Sequence, residues 1–136
     1  MKFVSTRGKA PAVSFTEAMN TGLAPDGGLY VPENFPLGDN SYLDPTGSFP
    51  KFAAEVVGPY LEGDAIEKRK AEICQAAFDF PIPLRVRKDG TGILELFHGP
   101  TSAFKDVGAR FLAECLSNEP HRAKRTVLVA TSGDTG

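Results

Sequence analysis

The stretch Ile93-Leu94-Glu95-Leu96-Phe97-His98-Gly99-Pro100-Thr101-Ser102-Ala103-Phe104-Lys105-Asp106, followed through Cys115 to Thr126-Val127-Leu128-Val129-Ala130, decides the fold. It opens on an apolar run of strand length and breaks at Gly99-Pro100. Phe104, Val107, Phe111, Leu112 and Cys115 then recur at i, i+3, i+7, i+8 and i+11, the spacing of one helix face. Ser117-Asn118-Glu119-Pro120 stops that helix, and a β-branched run from Arg125 to Ala130 follows. Strand, helix and strand in this order predict a right-handed βαβ unit with parallel strands at 93–97 and 126–130, and so an α/β fold class.

Parallel neighbours end on the same sheet edge, where open α/β sheets bind their ligands. Lys105, in the first turn of the helix, and the loop Thr131-Ser132-Gly133-Asp134-Thr135-Gly136 would then face one crevice. The unpaired N–H groups and positive dipole end of a helix start disfavour an ammonium and favour the neutral amine that attacks carbonyls. Asp106 beside it acts the other way, and an ordinary solvated lysine is the alternative. The loop joins two glycines, three hydroxyls and one Asp at a strand end. That is the composition of an anion-binding nest, or equally of a strand-to-helix turn with a Ser or Asp cap. It matches neither a Walker motif nor a G-x-G-x-x-G fingerprint.

Working outward, Leu84–Arg87 and Gly92–Phe97 flank Lys88-Asp89-Gly90-Thr91 and predict a hairpin-like reversal. Two helices are expected upstream. One opens at Ser48 with Pro50 in its first turn, carries Phe52, Ala53, Val56, Val57 and Tyr60, and is kinked or ended by Gly58-Pro59. The other opens at Asp64-x-x-Glu67, a capping-box pattern, with Ile66, Ile73, Ala76 and Ala77 on one face. Residues 32–48 read as loop. Phe3–Ser5, Val13–Phe15 and Leu29–Val31 read as short strands, and Thr16–Met19 as one helical turn closed by Asn20-Thr21-Gly22.

The 136 residues are 41% apolar and 24% charged with a formal charge of −2, so nothing points to disorder, nucleic acid or a charged membrane surface. Apolar runs stop far short of the roughly 18 residues a membrane helix needs. The amino terminus carries no signal or transit pattern, which makes the cytoplasm the default. Nine of the 11 prolines precede residue 84, dividing a turn-rich first part from a regular last third. Cys74 and Cys115 form no C-x-x-C pair and read as buried, reduced thiols. With His98 and His121 as the only imidazoles, neither a metal site nor a Ser/His/Asp hydrolase is expected.

Taken together, His98-Gly99-Pro100-Thr101-Ser102-Ala103-Phe104-Lys105-Asp106 and Thr131–Gly136 resemble the signature segments of the threonine synthase family, fold type II pyridoxal-phosphate enzymes. Upstream, Val13-Ser14-Phe15, Ala18-Met19, Gly22-Leu23 and Gly27-Gly28-Leu29-Tyr30-Val31-Pro32 resemble that family's amino-terminal segment. The resemblance implies β,γ-replacement, in which O-phosphohomoserine loses phosphate and water adds at the β-carbon to give threonine. It implies that Lys105 holds pyridoxal 5'-phosphate as an internal aldimine and shuttles protons, and that Ser132, Gly133 and Thr135 bind the substrate carboxylate. Asp134 falls near the cofactor 3-hydroxyl, where sulfhydrylase-type relatives carry Asn. That Asp argues against the runner-up, a cysteine synthase or threonine dehydratase, which stays the alternative, while a non-catalytic anion-binding module is the reading from another class.

The family's enzymes are much longer, so the resemblance also implies an amino-terminal fragment. Residues 1–90 would form its turn-rich α+β segment, and 91–136 the truncated, incomplete start of the pyridoxal-phosphate domain, with its first βαβ unit. Such a fragment is expected to lack synthase activity alone, to hold the cofactor weakly or not at all, and, with sheet edges open, to self-associate.

Overall fold

The computed structural model describes residues 1–36, 47–120, 126, 128–131 and 133. Its elements run β1 (Phe3–Ser5), α1 (Phe15–Thr21), β2 (Tyr30–Pro32), α2 (Phe49–Leu61), a 3₁₀ turn (Glu67–Arg69), α3 (Lys70–Ala77), β3 (Leu84–Val86), β4 (Gly92–Leu94) and α4 (Lys105–Ser117). The fold is mixed α and β with small sheets.

β1 and β2 pair antiparallel, with Phe3 opposite Pro32, Val4 opposite Val31 and Ser5 opposite Tyr30. Asp26 organises the turn before β2. Its carboxylate accepts from Ser5 Oγ at 2.7 Å and from the Lys9 and Gly28 amides at 2.9 Å, and the Ser5 bond leads the causes that hold it below the usual carboxylate range. Gly28 sits so close to the Ser5 hydroxyl that no side chain fits there. The expected strand at 13–15 is only a bridge from Val13 to Phe3, because Ser14 and Glu17 form a capping box that starts α1 at Phe15. Glu17 N–H donates to Ser14 Oγ and Ser14 N–H to the Glu17 carboxylate, satisfying two helix-start donors reciprocally.

Helix α2 begins after Ser48 as expected, though the Ser48 side chain makes no cap bond. It runs through Pro59 to Leu61 rather than breaking. Pro59 lies within three residues of the end, where only one ladder bond is at stake. The Asp64-x-x-Glu67 pattern also opens differently. Glu67 accepts from the Gly63 amide, a 3₁₀ turn precedes α3, and Asp64 reaches across to the amide and hydroxyl of Thr16 at 2.9 and 2.5 Å. That bond pins α1 to the α2–α3 junction. On α3, Ile73, Cys74 and Ala77 are buried and Ala76 is exposed.

The core lies between α2, α3 and α4. Leu61, Ile66, Ile73 and Cys115 form one fully buried cluster; Ala53, Ala54, Cys74, Ala77 and Phe78 form the other, and Val57 and Phe111 pack against both. Phe78 stacks on Phe111 at 6.2 Å and meets Phe49 edge-on at 5.2 Å. Such pairs add about 0.5–1.5 kcal/mol each beyond their burial. Both thiols are free and buried, and burial pushes Cys74 up to about 11 and Cys115 up to about 12.

The predicted parallel pairing is where the structure departs most. β4 ends at Leu94, short of Phe97, and pairs antiparallel with β3, Leu84 opposite Leu94 and Val86 opposite Gly92. Thr126 and residues 128–131 carry no strand, and Leu128 is 94% exposed. The βαβ pairing of 93–97 with 126–130 is therefore not formed among the described residues. Parallel strands need cover on both faces, and Ile93, Leu94, Leu128 and Val129 are all exposed here.

Candidate functional site

Helix α4 starts at Lys105, so the first-turn placement of this lysine holds. Two devices position it. On the core side, Arg110 clamps α4 to the end of α3. Its guanidinium donates to the Ala77 carbonyl at 2.9 Å and the Ala76 carbonyl at 3.0 Å, pairs with Asp79 at 2.7 Å and lies over the Phe80 ring. These carbonyls are among those a helix end leaves unpaired, and a planar guanidinium is suited to collect several at once.

On the other side, the chain enters α4 through a tight loop. The Ser102 amide donates to the Gly99 carbonyl at 3.0 Å, and Ser102 stands at φ +57°, a left-handed conformation that costs a non-glycine residue about 1–2 kcal/mol. Phe104 occupies the N-cap position without a side-chain cap bond. Asp106 closes the loop instead. It is 5% exposed, and its two carboxylate oxygens accept from the Thr101 amide and the Thr101 hydroxyl, both at 2.9 Å. Gly99 lies directly against that carboxylate, which occupies the space a Cβ would need.

Lys105 is half-buried. What stands at the mouth of α4 is thus a primary amine on a fixed backbone, next to a carboxylate already taken up by Thr101. Asp106 has no oxygen without a donor, so it is suited to hold the loop rather than to act as a base.

A second arrangement lies just upstream. Glu95 accepts from His98 Nε2 at 2.7 Å and lies 3.7 Å from Arg85 Nε, while the imidazole packs on Phe97 at 4.6 Å.

Of the other expected site residues, Gly133 is described, with φ +121° and its amide donating to Thr131 Oγ1 at 3.2 Å. Ser132, Asp134 and Thr135 lie outside the described residues, as do 121–125 and 127. Sequence reading missed the anchoring roles of Asp106, Thr101 and Arg110. A Thr directly after Gly99-Pro100 and five residues before an Asp is the signal for the first two, whereas Arg110 shows nothing in sequence beyond a cation on the polar side of α4. Among the described residues, no helix is long and apolar enough to cross a membrane.

Comparison with known proteins adds to this geometry. The family described as Threonine synthase N terminus matches residues 2–78. The threonine synthase of Pseudomonas aeruginosa is 41% identical over 145 residues, covering all of this chain and 31% of that protein. Among solved structures, the pyridoxal-phosphate-bound threonine synthase of Brucella melitensis superposes with a TM-score of 0.76 at 37% identity, over 85% of this chain and 26% of that one. The threonine synthase of Escherichia coli gives 0.76 at 35% identity, over 86% and 28%. The chain therefore spans about a third of the length of the curated relatives it matches.

Proposed function

Because the chain belongs to the threonine synthase N-terminus family, we propose that Lys105 is the lysine that holds pyridoxal 5'-phosphate in a synthase making threonine and phosphate from O-phosphohomoserine and water. The observation that carries this reading is the placement of Lys105, a half-buried residue at the start of α4, directly after the Gly99–Phe104 loop closed by Asp106. The donor fits the group, since an aldehyde cofactor needs a primary amine, and the adjoining carboxylate is occupied by Thr101 rather than aimed at the amine's partner.

When bound, the cofactor supplies an aldehyde for attachment and a conjugated ring that stores the electron pair released at the substrate carbons. This chain's own residues do the rest of the work assigned here. Lys105 Nζ holds and moves protons beside those carbons. Ser132, Gly133 and Thr135 would bind the substrate carboxylate, and Asp134 would face the cofactor's 3-hydroxyl. Residues 1–90 would form the amino-terminal segment and 91–136 the opening of the cofactor domain. The protein works in the cytoplasm, and the 136 residues alone do not turn over substrate.

Adding pyridoxal 5'-phosphate to the purified chain tests the central step. The expected result is a visible absorbance band that borohydride removes and that Lys105→Ala lacks. Anion binding with no lysine adduct would favour the non-catalytic module instead. Phosphate release from O-phosphohomoserine by these 136 residues, lost in Lys105→Ala, would contradict the stated lack of turnover.

A further inference from the structure

We infer that Asp106 is a positioning residue: by holding the Gly99–Phe104 loop closed around its buried carboxylate, it sets where the Lys105 amine stands for condensation with a carbonyl. The inference rests on the reading of Lys105 given above and extends it to the residue that follows, whose two oxygens both accept from Thr101.

Three observations separate this role from ordinary helix capping. First, the capping position belongs to Phe104, which makes no side-chain bond, although a Ser, Thr or Asn there would serve a helix start more cheaply. Second, the Asp106 oxygens do not serve the unpaired amides of α4. Both turn back to Thr101, five residues upstream, and a buried carboxylate is tolerable only because those two donors meet it. Third, the loop it closes contains the left-handed Ser102 and the side-chain-free contact at Gly99, so the segment is held in a conformation it would not choose by local preference. Lys105 is joined covalently to both ends of this device, Phe104 before it and Asp106 after it. The direction of its Cα–Cβ bond is therefore set by the closed loop and by the Arg110 clamp together.

Condensation of Nζ with an aldehyde forms a C=N bond and releases one water. Borohydride then reduces that bond to a secondary amine, which fixes the site of attachment for analysis. The test treats the 136-residue protein with pyridoxal 5'-phosphate and borohydride and maps the label by peptide mass across its eight lysines. Asp106→Asn and Thr101→Val are compared with the wild type, each at matched folded fraction by thermal melting.

The expected result is preferential labelling of Lys105 in the wild type. In Asp106→Asn the share on Lys105 should fall about tenfold, and in Thr101→Val by less, since displacement of a reacting group by about 1 Å is enough for such losses. Labels on the other lysines should not change, which a mere loss of stability would not produce selectively. Should Asp106→Asn fail to fold, Thr101→Val, which removes only the hydroxyl donor, decides the matter. A wild type that labels Lys105 preferentially, with both folded variants unchanged, would overturn the inference and leave the reading of Lys105 standing. A wild type that labels its lysines evenly would overturn that reading and the inference with it.

Discussion

In the α2–α3–α4 body, Leu61, Ile66, Ile73, Cys74 and Cys115 are sealed from water, while in the β3–β4 hairpin Leu84, Val86, Ile93 and Leu94 all stay exposed. Both regions are apolar in sequence, so hydrophobicity alone does not distinguish them. The helices are closed by partners the chain itself provides; among the described residues the hairpin is held by its own backbone bonds and the Arg85–Glu95 pair. Stability should therefore reside in the first region, and the second should be nearly neutral to truncation. Ile73→Ala is expected to cost about 2–5 kcal/mol in urea denaturation, whereas Ile93→Ala should stay within about 0.5 kcal/mol. Equal costs at the two positions would break the contrast.

Arg110 sharpens it, because it joins the sealed body to the helix that carries Lys105. Arg110→Ala leaves the Ala76 and Ala77 carbonyls to water and strips the partner from Asp79. A loss of about 1–3 kcal/mol is expected from these unmade bonds. Arg110→Lys should recover little of it, since an ammonium cannot span two carbonyls and a carboxylate in one plane. Full rescue by lysine would show that charge, not the planar fork, holds α4 in place.

How much of this was legible in the sequence follows the same line. The helix face of Phe104, Val107, Phe111 and Cys115 was read correctly in part. Cys115 is sealed and Phe111 packs in the core, but Phe104 and Leu112 are 65% and 47% exposed, because the periodicity gives a face and not its width. Lys105 at the helix start was legible from the Gly-Pro break before it. The capping box at Ser14 and Glu17 was present as a pattern and passed over, because Phe15 follows Val13 and looks like strand. Parallel pairing at 93–97 follows from the strand–helix–strand order, and that order carries no record of what covers a strand. The Thr101–Asp106 closure is local, and its five-residue spacing is visible in the sequence; the Arg110 clamp is not, because its partners Ala76, Ala77 and Asp79 are brought to it only by the folded path.

The buried thiols allow the body to be tested without substitution. Burial pushes Cys74 up to about 11 and Cys115 up to about 12, while a thiol in the unfolded chain ionises near 9.0. The folded state therefore keeps its thiol protons in a range where the unfolded state has released them. Stability should be intact below about pH 9 and decline as pH rises toward 11–12, the sign that proton linkage requires for acids whose folded value is raised. Denaturation midpoints at pH 8 and pH 10 check this, with the Cys74→Ala/Cys115→Ala double variant losing the difference. Iodoacetamide should likewise react slowly with the native protein at pH 8 and fast after unfolding.

The smallest expected effect on stability lies in the hairpin, and there association is the more sensitive readout. β3 and β4 form a two-stranded sheet among the described residues, with exposed apolar side chains on both strands. A short apolar sheet with open edges is a template for pairing with another chain. Sedimentation velocity of the 136-residue protein should show a weight-average coefficient that rises with concentration. Replacing Val86 and Ile93 together with Lys should flatten that rise, because like charges at neighbouring edges repel, while urea denaturation stays within about 1 kcal/mol of the wild type, the sum of two surface changes. A coefficient independent of concentration in the wild type would mean that exposed apolar area here is too small or too twisted to pair, and the difference between the two regions would then be one of stability alone.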